Sequence, residues 1–85
     1  MWMLIRKTRH GEGAYAVVNK KHEKVIFLFE DEDDADRYAM MLEDPENYEF
    51  VKTVEVDPEI AIKTCGHNGL NYAIISPDDF VIPPK

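Results

Sequence analysis

The stretch "KVIFLF" (Lys24–Phe29) constrains this chain more than any other. Alternate residues of a β-strand face opposite sides of the sheet. Here both sets are apolar, Val25, Phe27 and Phe29 on one side, Ile26 and Leu28 on the other. Such a strand belongs at the centre of a sheet and is covered on both faces. Two further segments rich in Val, Ile and aromatics, "WMLIRK" (Trp2–Lys7) and "AYAVVN" (Ala14–Asn19), read as strands. The connections "TRHGEG" and "KKHE" are short and polar, which predicts an antiparallel meander of three strands.

A carboxylate run follows the central strand directly. Glu30–Asp36 holds six acids in seven positions. Behind it Ala35, Tyr38, Ala39 and Leu42 fall at i, i+3, i+4 and i+7, one stripe of a helix over Glu32–Glu43. Asp31 is placed to cap its first free amides, and Asp34 is spaced as the acidic partner of a capping box. Acids in a first turn also meet the positive end of the helix dipole, worth ~0.3–1 kcal/mol each. Pro45 marks the stop. "YEFVKTVEV" (Tyr48–Val56) alternates, with Phe50, Val54 and Val56 on one face and Thr53 and Glu55 on a wetter one. "DPEIAIKTCGHNG" opens a second helix, with Asp57 as cap and Pro58 at its first position. Ala61, Ile62 and Cys65 share its inner face, and Asn68–Gly69 supply a left-handed stop before Leu70. "LNYAIIS" (Leu70–Ser76) is a last strand, and "FVI" in the closing "PDDFVIPPK" reads as a short edge strand.

The order β-β-β-α-β-α-β predicts one α+β domain over residues 1–85, with a proline-containing tail at 77–85. The expected form is a two-layer sandwich, one mixed sheet with both helices on one face, ferredoxin-like in general appearance. A single cysteine excludes an internal disulfide and points to a reducing compartment. The start "MWMLIRKTRH" places its charges after a short apolar stretch, the reverse of a secretory signal. No run approaches the ~20 apolar residues that cross a bilayer. The reading is cytoplasmic, without membrane insertion.

Net charge is −7 and unevenly spread. Residues 1–24 set six cations against two acids, and residues 25–85 set four cations against fifteen acids. Nucleic-acid binding needs a dominant cationic surface, so no nucleic-acid partner is expected. The split suits steering of a protein partner instead.

Catalytic and metal chemistries find little support in the pattern. Taken as a calcium loop from Asp31, the acidic run has Ala35 at the fifth position and Asp36 where glycine must turn the chain. Cys65 and His67 stand at C-x-H spacing with His10 and His22 far off, short of the four ligands of structural zinc. His67 reads as a helix-terminal cation meeting the dipole. Cys65 lies on the apolar stripe, so it reads as core rather than as a nucleophile. Ser76 is the one serine and precedes a proline, and there is no G-x-S-x-G, G-x-G-x-x-G or P-loop. Paired carboxylates for acid/base work need a pocket that a domain of this size rarely has. Mimicry of a phosphate backbone needs acids along a long surface, and the cationic meander opposes it. No enzyme activity and no cofactor are expected.

"VIFLFEDEDDADRYAMMLE", "VEVDPEIAIKTCGHNGLNY" and the closing "FVIPPK" together resemble a small family of cyanobacteria and plant plastids, catalogued as domain of unknown function three-one-one-zero. Its pattern D-A-x-R-Y-A-x-x-L-E corresponds to Asp34–Glu43, and D-P-E-x-I-x-x-x-C-x-x-x-G-Y to Asp57–Tyr72. The chain departs from it at Ile60–Ile62, at Gly66 and at Asn71, where the family carries glycine before the tyrosine. The resemblance covers residues 25–85 and carries no catalytic or ligand residue. It implies a cyanobacterium, a cyanophage or a plastid, and in a plant the stroma as location.

The function expected is a small acidic, non-catalytic interaction or regulatory module that acts on a larger protein of a photosynthetic cell. The contact residues expected are Asp33, Asp36 and Glu43 of the first helix, or Lys20, Lys21 and Lys24 of the second turn. The acids are favoured because a helix holds them on a rigid frame, whereas a loop tip is mobile. The alternatives are a small-molecule-sensing two-layer domain acting as a homo-oligomer, and a redox switch built on Cys65.

Overall fold

The computed structural model describes residues 1–79 and Val81. It is α+β, with one mixed six-stranded sheet and two α-helices. The strands are β1 (Trp2–Thr8), β2 (Gly11–Ala14), β3 (Ala16–Val18), β4 (Lys24–Phe29), β5 (Phe50–Glu55) and β6 (Asn71–Ile75). Helix α1 (Glu32–Leu42) joins β4 to β5 through a short 3-10 turn at Pro45–Asn47, and α2 (Pro58–His67) joins β5 to β6. The edge strand expected from "FVI" falls on residues mostly outside the described set.

The centre of the sheet runs β5-β1-β4-β6. β1 is antiparallel to both β5 and β4, and β6 is parallel to β4. β4, β5 and β6 therefore run in the same direction. The second expected strand is divided at Tyr15: β2 pairs with β1 and β3 with β4. At the break the Tyr15 N–H donates to Leu4 O at 2.9 Å. Its side chain is buried, with its hydroxyl 3.3 Å from that of Tyr38.

The two helices lie on opposite faces of the sheet, not on one. Ala35, Tyr38 and Ala39 of α1 pack with Leu4, Tyr15, Phe29, Val51 and Ile75. Cys65 of α2 packs with Ile26 and Leu28, bordered by Met1, Met3, Val56 and Leu70. The alternate residues of β4 are thus divided between the two helices. Topology gives the reason. The β4-α1-β5 crossover steps over β1 in one direction, and β5-α2-β6 steps back over β1 and β4. Parallel crossovers are nearly always right-handed. Two of them in opposite directions put their helices on opposite faces, so the molecule is layered α-β-α and the ferredoxin-like, two-layer expectation fails.

β5 corrects a second expectation. Phe50 is 39% exposed, while Val51 is buried beneath α1. The face expected to be wetter is the one that α1 covers. There the Thr53 hydroxyl donates to Asp36 Oδ1 at 2.6 Å. Val56, on the other face, borders the cluster under α2 as its alternation requires.

The helix ends follow their sequence signals. Asp31 accepts from the Asp33 N–H at 2.8 Å. Asp57 accepts from the N–H groups of Glu59 and Ile60 at 2.9 and 3.2 Å, ahead of Pro58. Each such cap stabilises its helix by ~1 kcal/mol. Gly69 takes the left-handed conformation at φ 65°, and the Leu70 N–H donates to Cys65 O at 2.8 Å, which closes α2.

Candidate interaction surface

Strand register builds the surface. Phe29 pairs with Trp2 and with Ile75, and Trp2 pairs with Glu55. The last residues of β5, β4 and β6 thus stand in one row across the sheet. Each strand hands its chain on at that end to a segment that must begin a helix or a turn. Free N–H groups at such starts select carboxylates. Glu30–Asp34 follow β4; Glu55, Asp57 and Glu59 come at the end of β5; Asp78 and Asp79 follow β6. The segments 30–34, 55–59 and 76–79 hold ten carboxylates and no Lys or Arg. Parallel strand direction has gathered them into one acidic end.

Several of these acids are committed to structure. Asp31 and Asp57 cap the helices. Asp79 Oδ2 accepts from the Ser76 N–H and hydroxyl at 2.9 and 3.0 Å, closing the turn after β6. Asp34 does not complete a capping box. Its Oδ1 lies 3.5 Å from Arg37, and its Oδ2 is buried with no partner among the described residues. Glu30, Glu32, Asp33, Glu55, Glu59 and Asp78 are exposed. They form the part of this end that is open to a partner.

The expected contact residues separate accordingly. Asp33 belongs to the acidic end. Asp36, although exposed, is held by Thr53 and ties α1 to β5. Glu43 is exposed as the C-cap of α1, at the far end of the helix from Asp33. Lys20, Lys21 and Lys24 are all exposed at the β3–β4 turn. That turn is tightly bonded: Asn19 Oδ1 accepts from the N–H groups of Lys21 and Glu23 at 2.9 and 3.0 Å, and His22 N–H donates to Asn19 O. The turn begins β4 and the acidic run ends it, so the two clusters lie a strand length apart, about 17–20 Å.

Cys65 is 6% exposed and free. It lies between α2 and the sheet, against Ile26 and Leu28. Beside the acidic end lies a cleft of about 240 Å³, lined by Asp34, Arg37, Tyr38, Met41, Ile75, Pro77, Asp79 and Val81. Ligand pockets run at ~300–1,000 Å³. At its floor burial raises the Tyr38 hydroxyl well above its usual pKa, and the hydroxyl of Tyr15 adds to the effect.

No helix among the described residues is long and apolar enough to cross a membrane. The acids after β4 stand out in the sequence as a run, whereas their meeting with those after β5 and β6 depends on strand register. The usable signal was three acidic starts, "EDEDD", "EVDPE" and "SPDD", each behind an apolar strand. The model of the family described as Domain of unknown function (DUF3110) matches residues 1–85. No curated protein and no solved structure matches the chain.

Proposed function

The chain belongs to the DUF3110 family, which has no assigned activity, and from that premise we propose that it is a non-catalytic interaction module whose acidic end docks on a basic surface of a larger protein. One observation carries the reading: three segments distant in sequence, themselves without Lys or Arg, deliver ten carboxylates to one end of the sheet, where Arg37 pairs with Asp34 alone. Opposed charge of this kind steers encounter and fixes orientation. The caps and the strand row fix the backbone beneath the exposed acids, so little backbone order is lost on binding. The partner is a soluble protein of a photosynthetic cell, met in the cytoplasm or stroma.

The test is affinity capture from a cyanobacterial lysate at low and high salt. A combined Asp33→Lys, Glu59→Lys and Asp78→Lys variant removes one exposed acid from each segment and no cap. It is expected to retain its fold and to lose the salt-sensitive partner. Retained capture by that variant, with loss on changing Lys20, Lys21 and Lys24 to Glu, moves the contact to the β3–β4 turn and refutes the assignment. The alternative of a small-molecule sensor rests on the cleft at Asp34 and Arg37. A thermal shift with a single metabolite, abolished by Arg37→Ala, would establish it in place of docking.

A further inference from the structure

We propose that β6 is a self-pairing edge: two copies of this chain join β6 to β6, antiparallel, about a twofold axis at Ala73, and so form one continuous sheet. β6 pairs with β4 along one side, and no described strand takes its other side. An open edge presents unpaired N–H and C=O groups, and proteins usually protect it with charge, proline or a bulge. The opposite edge has such protection, since β5 carries Lys52 and Glu55. β6 reads Asn-Tyr-Ala-Ile-Ile, without charge or proline, and its register with Val25–Phe29 is unbroken.

The strand is also self-complementary. Tyr72 and Ile74 are 43% and 44% exposed and lie on the same face. A twofold axis at Ala73 sets each Tyr72 opposite the second copy's Ile74, an aromatic–aliphatic cross-strand pair of the favourable kind. Charge selects the orientation. Both copies carry −7, and a parallel arrangement would set the two acidic ends side by side. The antiparallel arrangement moves them to opposite extremes. It brings Asp78 and Asp79 of one copy level with the end of the other at which Lys24 adjoins the β6 start. A second copy is therefore the occupant that both the strand and the charge fit.

The pairing strand stands apart from the docking proposal, since β6 contains none of the acids used there; only the choice of orientation draws on Asp78 and Asp79. Sedimentation of the whole chain over a wide concentration range tests it. The expected species at high concentration has twice the chain's 9.9 kDa mass. The double variant Tyr72→Lys/Ile74→Lys sets lysine against lysine at both pairs and is expected to sediment as a monomer with unchanged circular dichroism. Tyr72→Lys/Ile74→Glu sets lysine against glutamate at both pairs and is expected to recover the dimer, which a nonspecific apolar contact would not do. A wild-type chain that stays monomeric, a dimer that survives the double lysine variant, or no recovery with the Lys/Glu variant would each overturn the proposal.

Discussion

The two faces of the sheet are built from the same strands in different materials. Under α1 the core is aromatic: Tyr15, Phe27, Phe29 and Tyr38 form tilted and edge-on pairs with centroids 5.6–6.1 Å apart. Tyr38 and Phe29 are the two largest fully buried side chains. Under α2 the core is aliphatic and sulfur-containing, with Ile26, Leu28 and Cys65 at its centre and Met1 and Met3 at its margin. That side leaves Tyr72 and Ile74 partly uncovered. One face is closed by directional ring packing, and the other by side chains that slide and repack more easily. A small domain can thus hold a rigid frame on one side and an adaptable surface on the other.

Truncation at the two centres is the sharpest way to break this comparison. Tyr38→Ala is expected to cost ~3–5 kcal/mol, because it empties the middle of the ring cluster. Cys65→Ala removes one buried atom and is expected to cost about 1 kcal/mol. Denaturant titration of both variants checks the contrast, and equal losses would abolish it. Next in size is the protection of the thiol. Native Cys65 should react with a thiol reagent far more slowly than in denaturant, and equal rates would mean that α2 does not cover its face.

The caps give a smaller test. Asp31→Ala and Asp57→Ala are each expected to cost ~1 kcal/mol. Asp57 has the larger share, since it accepts two N–H bonds against one. A rise of many degrees in melting temperature on adding calcium would instead make the α1 start a metal site. Alkaline pH gives a separate test of the aromatic face. The pKa of Tyr38 is raised in the folded chain, so the folded state holds its proton where the unfolded state releases it. Its contribution is complete below the unfolded value of about 10 and is lost as pH rises above it. The melting temperature should fall more steeply above that pH in the natural chain than in Tyr38→Phe.

Much of this architecture could be read from local pattern. β4 was bounded correctly because six apolar-rich residues end abruptly in acids, and α2 because Asp57, Pro58 and Gly69 each have one good use. The side on which the helices lie is legible too. A strand apolar on both faces, as Val25–Phe29 is, already requires cover on both, which two helices on one face cannot give. The break at Tyr15 was not legible. It arises where β1 and β4 meet at Trp2–Phe29, a contact between distant segments. The Asp36–Thr53 bond and the acidic end were hidden for the same reason. Strand register brings them together, and no local signal encodes it.

Carboxylates that act as one surface must answer a polycation together, although three distant segments supply them. Titrating the chain with a short oligolysine peptide at low salt, and following every backbone amide by NMR, tests it most directly. Residues 30–34, 55–59 and 76–79 are expected to shift together along a single binding curve, which salt abolishes. Independent curves for the three segments, or shifts centred on the other acid-rich stretch, Glu43–Glu49, would contradict it.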